Sequence, residues 1–279
     1  MSIVPTAALL EPLKRLSRDL SKTAKNLSLQ EVRYLVDAYY IMQESRIRSA
    51  AQIREMGETK KPHDVLDWFF VQSEMLENQI KNALDRWTDN QPLGQWCKGI
   101  CGIGPVIAAG LLAHIDITKA PTAGHIWRFA GLDPTTIWKP KTKRPYNATL
   151  KTLCTFKLGE SFIKVQANPR DVYGKLYVQR KQLEKERNEQ LEFKEQAETI
   201  LKTKNIDKET EAYKWYIQGK LPPAHIHARA RRYAVKIFLS HYHQVAYKMH
   251  FGVDAPVPYP IAILGHAHMI EPPDFDLEP

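Results

Sequence analysis

Seven of the ten histidines fall after residue 224: His225, His227, His241, His243, His250, His266 and His268. Imidazoles in His-x-His pairs are the donor type that zinc and related ions accept. On a helix, however, residues two apart face different directions, and no two of the five that precede the tail lie three or four apart. A metal clip on one helix is excluded, and no metal site is expected. Helical periodicity places His225, His243 and His250 with Arg232 and Lys236 on the polar face of the last helix, opposite its apolar stripe. The arrangement left open joins His243 to His266 or His268 from the tail, and a metal-dependent nuclease is the activity it would imply. Cys97, Cys101 and Cys154 are too few for a disulfide framework, and Cys97 and Cys101 read as packed thiols.

A second kind of chemistry is anion binding. Residues 96–112 read as an apolar helix end, the turn Gly102-Ile103-Gly104, and a helix that begins at Pro105. Proline suits the first helical turn, where its missing N–H costs nothing. Glycines at 102 and 104 would supply backbone angles closed to other residues and room for a phosphate. The free N–H groups and positive dipole end of the second helix would face that anion. Ile103, Val106, Ala109 and Leu112 are expected to lock the two helices together, and Lys98, Gly102, Ile103, Gly104 and Val106 are the candidate DNA contacts of this hairpin. Residues 138–146 add Lys139, Lys141, Lys143 and Arg144 between Trp138 and Tyr146, a pattern suited to a phosphate track with stacking. Arg232 is placed on the same surface. The net charge of +9 agrees with a polyanionic partner.

The elements that must position these residues are helices. Val32, Leu35, Val36, Tyr39 and Tyr40 recur at helical spacing after an N-cap at Ser28. Val65, Trp68, Phe69, Ile80, Leu84 and Trp87 mark a second apolar stripe. No alternating strand pattern occurs in the first ninety residues. The expected fold is all-α: a helical bundle with a central helix-hairpin-helix and a long charged helical arm. Four regions follow: an N-terminal helical region at 1–90, the hairpin region at 91–170, the arm at 171–221, and a final helix with a proline-rich tail at 222–279. Asp64, Asp67, Glu74 and Glu77 lie at helical spacing in the first region and read as solvated faces. No stretch is long and apolar enough for a membrane, and the start lacks a signal-peptide pattern, so a cytoplasmic setting is expected.

From the hairpin onward the sequence resembles the C-terminal domain of a family of insertion-sequence transposases. These are RNA-guided recombinases that pair a RuvC-like carboxylate domain with a serine-bearing domain. The matching residues are Gly102-Ile103-Gly104-Pro105, Ala108-Ala109, Leu111-Leu112-Ala113 and Ile115-Asp116. Residues 121–125, Ala130-Gly131-Leu132-Asp133-Pro134, Lys143-Arg144, Asn147, Leu150, Asn168-Pro169, Tyr173 and Ala234-Val235-Lys236 continue the match. The resemblance implies a DNA-binding protein of a mobile element or phage, acting in a prokaryotic cell or phage-infected host.

Two departures bear on catalysis. The N-terminal third is helical where the family carries a carboxylate-bearing sheet. No serine occurs between Pro134 and Ser161, where the family places its nucleophile; Thr135 and Thr136 stand in that window. The expectation is DNA binding through the backbone without catalysis and without a cofactor. Mg²⁺ is required only under the alternative, an active recombinase using Thr135 or Thr136. Structured RNA, a second copy of the chain, or a protein bound by the arm at 171–204 are further partners the sequence leaves open.

Overall fold

In the computed structural model, the residues described are 18–57, 64–139, 141–257 and 270–273. They are all-α, with no strand among them. The chain divides into two compact units, one of residues 1–98 and 104–114, the other of 99–103 and 115–279.

The first unit contains α1 (Arg18–Thr23), α2 (Leu29–Gly57), α3 (Asp64–Asp89), α4 (Pro92–Gly99, whose last residue groups with the second unit) and α5 (Pro105–His114). Ser28 starts α2 through a reciprocal cap: its backbone N–H donates to Glu31 Oε2 at 2.7 Å, and the Glu31 N–H donates to Ser28 Oγ at 3.3 Å. Val32 and Val36 from α2, Leu84 and Trp87 from α3, and Val106, Ala109 and Ala113 from α5 form one core. Arg33 Nε donates to the Ala113 carbonyl at 2.7 Å and so satisfies the C-terminal end of α5. The expectation that α5 would lock onto the preceding helix is corrected here. Val106, Ala109 and Leu112 pack into the α2–α3 core instead, because α5 is apolar on nearly every side and two long helices offer more surface than eight-residue α4. Glu77 is also corrected: it is 6% exposed and accepts from Arg46 Nε at 2.5 Å, which together with burial of its stem explains its place inside. Asp64, Asp67 and Glu74 are exposed, as expected.

The second unit is organised around α12 (Pro223–Phe251). Before it come α6 (Ala123–Phe129), α7 (Ala148–Thr152), a π-helical turn (Leu153–Leu158), α8 (Gly159–Lys164), α9 (Tyr173–Glu189), α10 (Lys194–Thr203) and α11 (Glu211–Ile217). Phe162, Tyr173 and Phe238 meet with ring centroids 4.8–5.6 Å apart and join α8, α9 and α12. The charged stretch at 171–204 breaks after Glu189, where Leu191 takes the left-handed conformation at φ 60°. Its first helix, α9, lies along α12. Glu184, 1% exposed, accepts from Arg180 Nε at 2.8 Å and Arg229 Nε at 2.6 Å. Asn188 bonds both backbone groups of Leu221, at 3.0 and 2.8 Å. No described helix is long and apolar enough to cross a membrane.

Candidate nucleic-acid interface

The turn after α4 closes with Ile103 N–H on the Ile100 carbonyl at 3.0 Å. Gly102 has φ +92°, and a Cβ there would meet Val165 Cγ2 at 3.1 Å. Its carbonyl accepts a hydrogen bond from Ser161 Oγ. Glycine at 102 is therefore required by the fold. Gly104 differs: it is exposed, lies outside the positive-φ region, and has nothing within 4 Å of a Cβ position. The expectation of a special backbone angle at Gly104 is corrected, while open space beside it is present. Its carbonyl accepts from Ala108 N–H at 3.0 Å, the first bond of α5. Helix geometry leaves the N–H groups of Val106 and Ile107 without intrahelical partners, and no acidic residue stands in this first turn. The start of α5 is thus an open, positively polarised helix end fixed by a buried helix.

Three residues singled out in the sequence have other commitments. The Val106 and Ile103 side chains are buried, 6% and 5% exposed, leaving only their backbone for a ligand. Lys98 Nζ bonds Asp85 at 2.6 Å and also Asp89, so its charge is neutralised within the first unit.

In the second unit, α6 ends in Gly131 at φ +65°, with Leu132 N–H returning to the Trp127 carbonyl at 2.8 Å. Asn147 Oδ1 accepts from Leu150 N–H at 2.9 Å and starts α7. Between these two fixed ends runs the basic loop. Trp138 Nε1 donates to the Thr142 carbonyl at 3.0 Å, Thr142 Oγ1 donates to the Lys139 carbonyl at 2.7 Å, and Lys141 has φ 67°. Lys139, Lys141, Lys143 and Arg144 are all exposed, and none is ion-paired among the described residues. The Arg144 guanidinium lies 5.9 Å from the Trp138 ring centre. Four cations without ion pairs among the described residues, on a loop anchored at both ends, form a surface suited to phosphate oxygens.

Thr135 and Thr136 lie at the start of this loop, and both hydroxyls are turned toward Asp133. Thr135 Oγ1 donates to Asp133 Oδ1 at 2.7 Å and Thr136 Oγ1 to Oδ2 at 3.3 Å. Burial raises the Asp133 pKa, but the threonine hydrogen bonds outweigh it and hold the carboxyl below its ordinary range. A carboxylate so stabilised is a poor base, and the Thr135 N–H bond to Oδ1 at 2.9 Å marks an ordinary Asx turn.

His241 and His243 are held by the fold. His241 is 2% exposed; its Nδ1 accepts from Tyr173 Oη at 2.8 Å and its Nε2 donates to the Ile270 carbonyl at 2.7 Å. His243, expected on the polar face of α12, is 1% exposed and donates Nε2–H to the Ala120 carbonyl at 2.8 Å. The correction has a simple cause: the segment at Ala120 packs over this side of α12 and accepts the bond. His266 and His268 lie outside the described residues. Among the described residues no three His, Cys, Asp or Glu side chains are grouped so as to hold a metal. Cys97 and Cys154 are buried, and burial pushes the Cys154 thiol up to about 12.

Sequence reasoning missed the carboxylates beside Lys98 and the burial of His243. Asp85 and Asp89 lie thirteen and nine residues before Lys98, and no helical spacing links them to it. No curated protein and no solved structure matches this chain. Residues 95–144, which hold the open start of α5 and the basic loop, match the transposase family IS116/IS110/IS902.

Proposed function

We propose that this chain binds DNA through the phosphate backbone, as a transposase-related protein without catalysis of its own. Two elements make the contacts, each argued by itself. The first is a helix-hairpin-helix whose working part is the start of α5, where Gly104, Val106 and Ile107 offer backbone N–H groups to a phosphate. The second is the loop carrying Lys139, Lys141, Lys143 and Arg144. The observation that carries the reading is Gly104: it is exposed, with open space where a side chain would be, at the head of a helix seated in a core. The family match over the same residues supports it. Structured RNA is an alternative ligand, since the phosphate chemistry is shared. The setting proposed is the cytoplasm of a prokaryotic cell or a phage-infected host.

Gly104→Val tests the reading. The side chain would block the approach of a phosphate while leaving backbone angles permitted. As the residue capping α5, it should cost no more than about 1 kcal/mol of stability. Binding of a duplex should weaken about tenfold, equally for unrelated sequences, because backbone contacts carry no base readout. Circular dichroism checks the fold, and the same preparations in Mg²⁺ should leave the duplex uncut. Undiminished binding by folded Gly104→Val would refute the hairpin's role.

A further inference from the structure

The α12 helix bears a line of basic groups of its own. His225, Arg229, Arg232 and Lys236 follow one another at spacings of four, three and four. These spacings keep them along one side of the helix for roughly 16 Å. Their partners differ. Arg229 is neutralised by Glu184 at 2.6 Å, and neighbouring Arg231 pairs with Glu160. Arg232 is half-buried and has no hydrogen bond or ion pair among the described residues. Glu184, the carboxylate whose field reaches it, already accepts from Arg180 and Arg229. Lys236 is also half-buried, with Nζ 4.0 Å from the Trp127 ring centre. The Trp127 indole N–H bonds the Lys236 carbonyl at 3.1 Å, which fixes α6 against this face.

The electrostatics agree with that geometry. Burial lowers the Arg232 pKa, and the charges of Arg229 and Arg231 lower it further. Lys236 is lowered by burial, with Arg232 adding to the effect and Asp133 opposing it. His225 is lowered by burial and then by Arg232, Arg229 and Lys204. Cations drawn partly out of water among like charges raise the free energy of the empty protein, and an anion placed between them removes that cost.

We propose that Arg232 and Lys236 hold a phosphodiester group of a nucleic-acid strand on this face of α12. The inference rests on the reading that the chain binds nucleic acid, but it needs neither Gly104 nor the start of α5. Phosphate suits the guanidinium because its planar fork donates two parallel hydrogen bonds to two oxygens. An extended polyanion suits the surroundings better than a small anion. Asp133, whose field reaches Lys236, opens the loop that carries the four cations at 139, 141, 143 and 144, which have no ion pair among the described residues. DNA and RNA share the phosphodiester, so the strand is distinguished by experiment.

The test is a fluorescence anisotropy titration of the full chain against a labelled single-stranded DNA and an RNA of the same sequence, at several salt concentrations. Arg232→Gln should weaken binding about tenfold and lower the salt slope by about 0.7. Arg232→Lys should restore the slope, since it keeps the charge, but only part of the affinity, since it lacks the fork. Arg232→Gln should melt no lower than the parent, because it removes an uncompensated charge. Should it fail to fold, Arg232→Met keeps the packing of the stem and replaces it in every comparison. Weakening with both strands, or with one alone, supports the site and names its ligand. Parental affinity and slope with both strands would overturn it. Gly104→Val run in parallel separates the two ideas: loss there alone leaves the hairpin standing and removes this site, and loss at Arg232 alone does the reverse.

Discussion

The helix α12 and the loop at 138–144 are both dense in titratable side chains, and the fold treats them in opposite ways. In α12, His241 and His243 are sealed inside with hydrogen-bond partners, and Arg229 and Arg231 each meet a carboxylate. In the loop, Lys139, Lys141, Lys143 and Arg144 are exposed and unpaired among the described residues. The α12 groups with such partners therefore contribute chiefly to stability, and Arg232 and Lys236 are exceptions on that helix. The loop groups contribute almost nothing to stability, which leaves their charge available to a ligand. Density of chemistry-bearing residues is a poor guide to function here; whether each one already has a partner is a better guide.

His241 offers the largest effect by which to break this comparison. Burial holds its pKa down to about 4, against an ordinary value of 6.5. The unfolded chain takes up a proton as pH falls through 6.5, while the folded chain resists until about 4. Stability is thus fully present above 6.5, is lost as pH falls between those values, and loses nothing further from this group below 4. The loss is on the order of 3 kcal/mol. Urea unfolding at stepped pH should show it in the parent, and His241→Gln should flatten the curve by that amount. Equal curves for parent and variant would mean that His241 is not held neutral inside, and the contrast with the loop would lose its strongest member.

A smaller effect sharpens the same contrast within the hairpin turn. Gly102→Ala forces a side chain into φ +92° and against Val165 and Phe162. It should cost about 1–3 kcal/mol, read as a lowered melting temperature. Gly104→Val should move melting less than this and binding more. Two glycines two residues apart would then be separated by function, one required by packing and one by the ligand. A Gly102→Ala protein as stable as the parent would erase that distinction.

Much of this was legible in the sequence because it is local. The N-cap at Ser28, the apolar stripe through Val32 and Val36, and the helix start at Pro105 depend on residues within a turn or two of one another. What could not be read depends on the tertiary fold. Lys98 looked available because nothing beside it in sequence reveals that α3 brings Asp85 and Asp89 to its ammonium. Val106 looked like a contact because it follows the turn, yet α2 and α3 draw its side chain into their core. His243 looked solvated because helical periodicity gives one polar face, whereas α12 is covered from several directions. The two glycines of the turn looked equivalent, but the packing of the turn against Val165 and Phe162 sets them apart: of the two, Gly102 alone takes a positive φ.

The smallest effect tests the other side of the comparison, the loop itself. Lys141 and Lys143 are exposed, and neither has an ion pair among the described residues. Replacing both by glutamine keeps their size, and the φ of 67° at Lys141 is no harder for glutamine than for lysine. Stability should therefore change by no more than about 0.5 kcal/mol. If each ammonium displaces one counterion from a phosphate, the slope of log affinity against log salt should fall by about 0.9 for each lost contact on a duplex. The double variant should thus lose about two units of slope, and the loss should be the same for unrelated duplex sequences. Near physiological salt the change in affinity is modest, so the slope is the sensitive measurement. A slope unchanged from the parent would make these lysines as idle toward DNA as the paired arginines of α12. In that case the loop's lack of internal partners would reflect only solvation, and DNA binding would have to rest on the start of α5 and on Arg232.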